Sequence, residues 1–208
     1  MSPTVLITAF EPYDHWNENS SWLALLELTK HLPEVPKVVT RLYPVDFSRA
    51  RAKLEQDLLQ NYDFSLHVGQ APGSARIRLE AVGLNIGGSS AQYPDEFRPL
   101  DAEGPAAYAS DLPLASWAAK LRFSGLPAAV SYHAGTYLCN ALLYLALHFS
   151  QRRKLRTRST FVHLPLAPQQ VTRESKDMPT MAPESTAKAL KLLLQELAQR
   201  GENLRGSA

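Results

Sequence analysis

The chain has a single cysteine, Cys139, within Ala134-Gly-Thr-Tyr-Leu-Cys-Asn-Ala-Leu-Leu-Tyr144. A small-residue turn delivers this thiol to what reads as the first turn of an apolar-faced helix. A helix N-terminus presents unpaired N–H groups and a partial positive charge. Both favour thiolate over thiol, and the thiolate is the nucleophile. A lone cysteine with histidines elsewhere in the chain also fits a nucleophile awaiting its base. An unpaired cysteine is equally a small, frequently buried hydrophobe. On the cysteine count alone, that second reading is the stronger.

Six histidines compete for the role of base. His148 falls inside a helical pattern and His31 near a helix end, so both read as structural or exposed. His67 sits within a strand pattern and reads as a satisfied core histidine. His15 and His133 lie in loops and stay open. His163 closes Ser159-Thr-Phe-Val-His-Leu-Pro165, a strand ending at proline, and leads on position. Glu80 lies in Ile77-Arg-Leu-Glu-Ala-Val-Gly-Leu-Asn85. With Leu79 and Ala81 packed inward it faces the other way, either as a solvent-facing acid or as a group orienting an imidazole. On residue type alone, the solvent-facing acid is the stronger reading.

The elements that must position these groups follow from hydrophobic periodicity and turn signals. Val5–Phe10, Val35–Tyr43, Phe64–Val68, Ile77–Ile86, Ala128–Tyr132 and Ser159–Leu164 read as strands. Ser20–Leu32 (capped by Asn19 or Ser20), Phe47–Tyr62, Leu114–Phe123, Thr136–Phe149 and Pro183–Arg200 read as helices. The stretch from Gly87 to Pro105 reads as a covering loop, or as partly disordered. Strands alternating with helices imply an α/β layered domain with a largely parallel sheet. The expected organisation is a single domain over residues 1–208. In such sheets, sites form at the carboxyl ends of strands. Phe10–Asn17, Gly69–Gly73, His133–Cys139 and His163–Gln170 would lie there.

Composition narrows the partners. With 208 residues, 45% hydrophobic and 20% charged, the chain can bury a sizeable core. Twenty-two basic against 20 acidic residues give a net charge of +2, which does not indicate an obligate polyanion partner such as a nucleic acid. The densest basic run, Gln151-Arg-Arg-Lys-Leu-Arg-Thr-Arg158, follows a helix and precedes a strand, and reads as a solvated loop. No apolar run approaches the ~20 residues of a membrane span. The start, Met1-Ser-Pro-Thr-Val5, lacks the pattern of a signal peptide. One cysteine cannot form an internal disulfide, so a cytoplasmic setting is expected. No His, Cys, Asp and Glu group has ligand-like spacing, so no metal is indicated, nor any cofactor.

Four ordered segments resemble the pyrrolidone carboxyl peptidases, the cysteine peptidases that remove N-terminal pyroglutamate. Val5-Leu-Ile-Thr-Ala-Phe-Glu-Pro-Tyr13 is similar to that family's opening strand and turn, with Asn19-Ser-Ser-Trp22 following. His67-Val-Gly-Gln-Ala-Pro-Gly73 resembles its glycine-bounded strand end, and Ile77-Arg-Leu-Glu80 the segment bearing its glutamate. Ala134-Gly-Thr-Tyr-Leu-Cys-Asn140 resembles the nucleophile motif. Phe161-Val-His-Leu-Pro165, with Pro168 and Gln169 after it, resembles the histidine motif.

The resemblance implies a phosphorylase/hydrolase-like three-layer α/β/α sandwich with a mixed, largely parallel twisted sheet. It implies Cys139 as nucleophile, His163 as general base and then acid, and Glu80 as the group orienting His163. It further implies substrate contacts from Phe10, Tyr13, Gln70 and Leu138. Peptides or amides with N-terminal pyroglutamate would be the substrates, cleaved through a thioester acyl-enzyme, and a homotetramer is the family's common assembly. This chain departs from the family at Ala9 (for Gly), Tyr13 (for Phe), Ala81 (for Arg) and Gln92 (for Arg), and has Asp14-His15-Trp16 where glycines are usual. These departures leave open a cysteine amidase of altered acyl specificity. A non-catalytic ligand-binding relative is the third reading.

Overall fold

The computed structural model describes residues 2–89 and 91–206, with side chains through residue 202. Ser90, inside the expected covering loop, lies outside the described residues, as do residues 1 and 207–208. In chain order the elements are β1 (Thr4–Phe10), α1 (Ser20–Thr29), β2 (Lys37–Tyr43), α2 (Phe47–Leu58) and β3 (Phe64–Gln70). There follow β4 (Ile77–Glu80), β5 (Val82–Leu84), β6 (Ala107–Ala109), α3 (Leu114–Phe123) and β7 (Ala128–Ser131). The chain closes with α4 (Leu138–Arg152), β8 (Arg158–Leu164) and α5 (Pro183–Gly206).

Six strands form one sheet in the order β2-β1-β3-β8-β4-β7, and β5 pairs with β6 in a separate ribbon. All neighbours in the large sheet are parallel except β8 and β4. Side-chain alternation along the strands sorts residues to two faces. Val5, Ile7, Ala9, Leu66, Val68, Leu79, Val162 and Leu164 share a core with α1, α3 and α5. Phe10 and Phe161 share the other core with α2 and α4. The result is the expected α/β/α sandwich with a mixed, mostly parallel sheet.

Helix α4 explains much of the second layer. Its sequence is apolar nearly all round, and each Leu it buries contributes roughly 1.5–3 kcal/mol relative to exposure. It must therefore be covered on several sides, and it packs against β3, β8, α2 and the β5–β6 ribbon. Asn140 joins helix and ribbon: its side chain accepts from the Leu84 N–H at 2.8 Å and donates to the carbonyls of Leu84 and Ile86 at 2.9 Å each. Caps set other helix starts. Asn19 accepts from the Ser21 N–H at 3.1 Å, and Asp46 from the Arg49 N–H at 2.8 Å.

The structure corrects several sequence expectations. Ile77–Ile86 is not one strand but breaks at Ala81, whose N–H bonds the Ser131 carbonyl while its own carbonyl accepts from Ser110. Beyond that point the chain leaves the large sheet to pair with β6, a strand the sequence reading missed. The Gly87–Pro105 stretch contains a short 3-10 turn at Pro94–Glu96 and a bridge from Gly87 to Arg98. Helix α4 begins at Leu138 instead of Thr136, and α5 runs past Arg200. Because β4 and β7 run opposite to β8, the chain leaves β7 at Ser131, level with Glu80 and with Phe161 in the middle of β8, heading away from the Leu164 end. Residues 132–137 must therefore carry the chain back toward the site. The basic run is largely exposed, as a solvated loop should be, and several of its arginines pair with acids: Arg153 lies 3.3 Å from Glu55, Arg156 3.4 Å from Asp63 and Arg158 3.0 Å from Asp111. No helix among the described residues is long and apolar enough to cross a membrane.

Candidate active site

The turn before α4 is shaped by Gly135, whose φ of 81° suits the left-handed region that glycine alone occupies freely. Its N–H bonds His133 Nδ1 at 3.1 Å, and Thr136 exchanges hydrogen bonds with Gly88. Tyr137 then sits at the N-cap position with no side-chain cap. The first helical bond joins the Ala141 N–H to the Tyr137 carbonyl. The N–H groups of Leu138, Cys139 and Asn140 thus precede it, facing outward from the positive end of the helix. Cys139 rides on this first turn, half-buried and free of any disulfide.

Below the helix start lies the sheet. Gly69 of β3 is level with His163 of β8. A Cβ at Gly69 would stand 2.7 Å from Phe161 Cζ and 3.0 Å from Cys139 Sγ. Glycine here lets the thiol settle onto the strand end beside the imidazole. Glu80 pairs in register with Phe161, two residues from His163 on the same face. That antiparallel crossing brings Glu80 Oε1 to 2.8 Å from His163 Nδ1. Glu80 is 0% exposed, not the solvent-facing acid that strand alternation favoured, because α4 covers the face it points to. The ring of Phe161 lies 4.8 Å from that of His163 and supports it.

The electrostatics match the geometry. Burial disfavours a charged His163, yet the charge and hydrogen bonding of Cys139, with those of Glu80, outweigh it and raise the imidazole to about 9. Burial likewise opposes ionisation of Glu80, but the hydrogen bond and charge of His163 prevail and hold the carboxyl below its ordinary range. With Nδ1 committed to Glu80, Nε2 is the nitrogen left for the thiol. The arrangement is a thiol–imidazole–carboxylate series with an ionised acid at its buried end.

A pocket opens at the thiol, lined by Phe10, Tyr13, Asn19, Val45, Gln70, Tyr137, Leu138 and Cys139, with about 300 Å³ of empty space including its open mouth. All four pocket positions expected from sequence are in this lining. Asn19, Val45 and Tyr137 were not among them. Asn19 read only as a helix cap, and Val45 carried no signal. Tyr137 was visible as part of the cysteine motif and is braced edge-on by Phe47 at 5.2 Å. Burial pushes the Tyr13 phenol up, the nearby Gln70 carboxamide opposing it and the Cys139 charge adding to it.

The other histidines are elsewhere. His67 is buried beside Thr8 and Ser65, as a core histidine should be. His148 is buried against Tyr108, with Nε2 3.4 Å from Asp101. His15 is exposed and faces Asp14 and Glu174. His133 is exposed and serves the Gly135 turn. Of the family departures, Ala9 is fully buried in the first core. Gln92 is exposed, accepting from the Ser89 N–H at 2.9 Å, one residue from the Gly88 contact with Thr136. Among the described residues no group of three or more His, Cys, Asp and Glu side chains could hold a metal ion.

An α/β/α sandwich with a thiol, an imidazole and a buried carboxylate at the mouth of an uncharged pocket defines a hydrolase-type cysteine site. Comparison with known proteins makes the assignment specific. The pyroglutamyl peptidase family model matches residues 3–200. The pyrrolidone-carboxylate peptidase of Brevibacillus brevis is 34% identical over 199 residues, covering 92% of this chain and 91% of that protein. That of Bacillus subtilis is 34% identical over 212 residues, covering 99% and 97%. Among solved structures, the pyrrolidone carboxyl peptidase of Fervidobacterium islandicum superposes with a TM-score of 0.89 at 35% identity, covering 95% of this chain and 99% of that one. The Thermococcus litoralis protein gives 0.85 at 28% identity, covering 99% and 96%. The chain belongs to the pyroglutamyl peptidase family.

Proposed function

We propose that this protein hydrolyses the amide bond following an N-terminal pyroglutamyl residue through a thioester on Cys139. The observation that carries the reading is the Cys139–His163–Glu80 series opening directly onto the Phe10, Tyr13, Gln70 and Leu138 pocket. Pyroglutamate is a flat, uncharged lactam, and a pocket of aromatic faces with the carboxamides of Gln70 and Asn19 suits it. Free glutamate would bring an ammonium and a carboxylate that the pocket does not pair, at a high desolvation cost.

In this reading the Cys139 proton passes to His163 Nε2, and the thiolate attacks the pyroglutamyl carbonyl carbon. The carbonyl electron pair moves to oxygen, where the N–H groups at the start of α4 stabilise the developing charge. Collapse breaks the C–N bond as His163 donates its proton to the leaving amine. A water molecule, deprotonated by the now neutral His163, attacks the thioester carbonyl. Pyroglutamate leaves, and the sulfur recovers its proton through the same imidazole. Glu80 stays ionised throughout, accepting from Nδ1–H and stabilising the charged ring.

The decisive experiment follows release of 7-amino-4-methylcoumarin from its pyroglutamyl amide by wild type and Cys139→Ala. Turnover by the wild type alone, with a pyroglutamyl adduct on Cys139 seen by mass spectrometry, supports the reading. Release by the alanine variant would refute the mechanism. Acylation of Cys139 only by other amides would favour an amidase of altered specificity. Family membership and the absence of any possible internal disulfide support a cytoplasmic homotetramer, which sedimentation and cell fractionation would check.

A further inference from the structure

One end of the Gln70 carboxamide is fully committed. Its Oε1 accepts from the Ser20 N–H at 3.0 Å and from Gln170 Nε2 at 2.9 Å. Gln170 is itself clamped: the same Nε2 donates to the Glu18 carbonyl at 3.0 Å, and its Oε1 accepts from the Ala167 N–H at 2.8 Å. Two donors converging on one terminal atom identify it as the oxygen, so the other end of Gln70 is the nitrogen. That Nε2 makes no close hydrogen bond among the described residues, the Tyr13 phenol on the same pocket wall being the polar group it approaches, in a side chain 4% exposed that lines the pocket. A buried N–H without an acceptor is rare in folded proteins, and in a ligand pocket it marks where the ligand's acceptor belongs.

We propose that Gln170 is a positioning residue for acyl-group recognition: by clamping Oε1 of Gln70, it presents Nε2 of Gln70 to the ring carbonyl of a bound lactam. This rests on the pyroglutamyl reading of the pocket. The clamp sits in the turn Pro168–Val171, just after the strand that carries His163. One strand exit therefore places both the base and the side chain that orients the recognition amide. Without Gln170 the oxygen of Gln70 is held only by the Ser20 N–H, and the carboxamide can turn that oxygen toward the lactam carbonyl, where two acceptors repel.

Steady-state kinetics of Gln170→Leu, Gln70→Leu and the double variant test this with the pyroglutamyl coumarylamide. Gln170→Leu should raise KM about tenfold, the order expected for one hydrogen bond, with kcat changing much less. In the Gln70→Leu background, Gln170→Leu should add no further loss, since both act through one contact. Multiplying losses, or a fall in kcat at constant KM, would overturn the proposal. Gln170→Glu provides a polar second variant: it can accept from Gln70 Nε2 and so invert the carboxamide, and it should raise KM as well.

A second measurement is independent of turnover. 2-Pyrrolidone should slow alkylation of Cys139 by iodoacetamide in the wild type, and about tenfold more should be required in Gln170→Leu. Equal protection of both proteins would overturn the clamp. If the wild type releases no coumarin yet shows this difference in protection, the functional reading fails and the clamp stands.

Discussion

Two histidines on neighbouring strands, His67 of β3 and His163 of β8, occupy the same sheet face and are almost equally buried, at 0% and 7% exposure. Their partners make them opposites. Among the described residues His67 meets hydroxyls only, Thr8 Oγ1 at 2.9 Å and Ser65 Oγ at 3.1 Å, and burial drives it down to about 3. A hydroxyl can donate or accept, so it satisfies a neutral ring as readily as a charged one and does not offset desolvation. His163 has a carboxylate on one side and a thiol on the other, and stands at about 9. Burial alone therefore says nothing about charge. The groups at Nδ1 and Nε2 decide, and in this fold one strand-to-strand step separates a structural imidazole from a reactive one.

The comparison breaks most completely if the thiol beside His163 is dispensable. Cys139→Ala should lower amide hydrolysis by a thousandfold or more, roughly the loss seen when a covalent nucleophile is removed, with His67 unaffected. Removing the groups that make His163 differ from His67 comes next. Glu80→Gln should cost roughly a hundred- to ten-thousandfold in kcat/KM. Because Glu80 helps raise His163, the alkaline limb of the pH–rate profile should also move to lower pH. An unchanged limb would show that the thiol alone holds the imidazole charge.

Gly69→Ala probes the spacing between the two sites' strands. A Cβ 2.7 Å from the Phe161 ring and 3.0 Å from Sγ must displace the thiol or the ring, and kcat/KM should fall on the order of tenfold to a hundredfold. Thiol alkylation rates across pH would show whether the Cys139–His163 pairing was lost with it.

The smallest effects concern stability, and here the two rings have opposite signs. His163, raised above its unfolded value, contributes stability that is complete below about pH 6.5 and is lost as pH rises through about 9. His67, depressed to about 3, has a contribution present above about pH 6.5 and lost as pH falls toward 3. One proton taken up on unfolding gives a slope of about 1.4 kcal/mol per pH unit in that acid window. His67→Asn should remove that acid-side slope in denaturant titrations, at a cost of roughly 1–3 kcal/mol at neutral pH for lost packing and hydrogen bonding. Persistence of the slope would place the acid sensitivity in other groups.

The local elements were largely written in the chain. The apolar run of β1, the Asn19 cap, the amphipathic stretch of α5 and the apolar circumference of α4 follow from periodicity and capping, which depend on near neighbours. Cys139 at a helix start was legible for the same reason, and so was the exclusion of most other histidines from the site. Glu80 was not. Its alternation placed it opposite the core residues Ile77 and Leu79, and sequence alone could not tell water from a second helical layer on that side. Ile77–Ile86 looked like one strand because nothing local marks the point where pairing with β8 ends and pairing with β6 begins. Gln170 fell at a strand end where sites form, but its role was invisible since its partners Gln70 and Glu18 are distant in sequence.

The sequence by itself determined an α/β layered domain, most of its strands and helices, and the types of group available: one thiol, a few imidazoles, a carboxamide at a strand end. Tertiary structure decided which of them meet. The antiparallel crossing of β8 and β4 puts a carboxylate 2.8 Å from one imidazole and none beside the other. The return of residues 132–137 sets the thiol over Gly69, within reach of that same ring. Interaction between charges depends on separation and surrounding dielectric, and both are properties of long-range packing that no stretch of neighbouring residues contains.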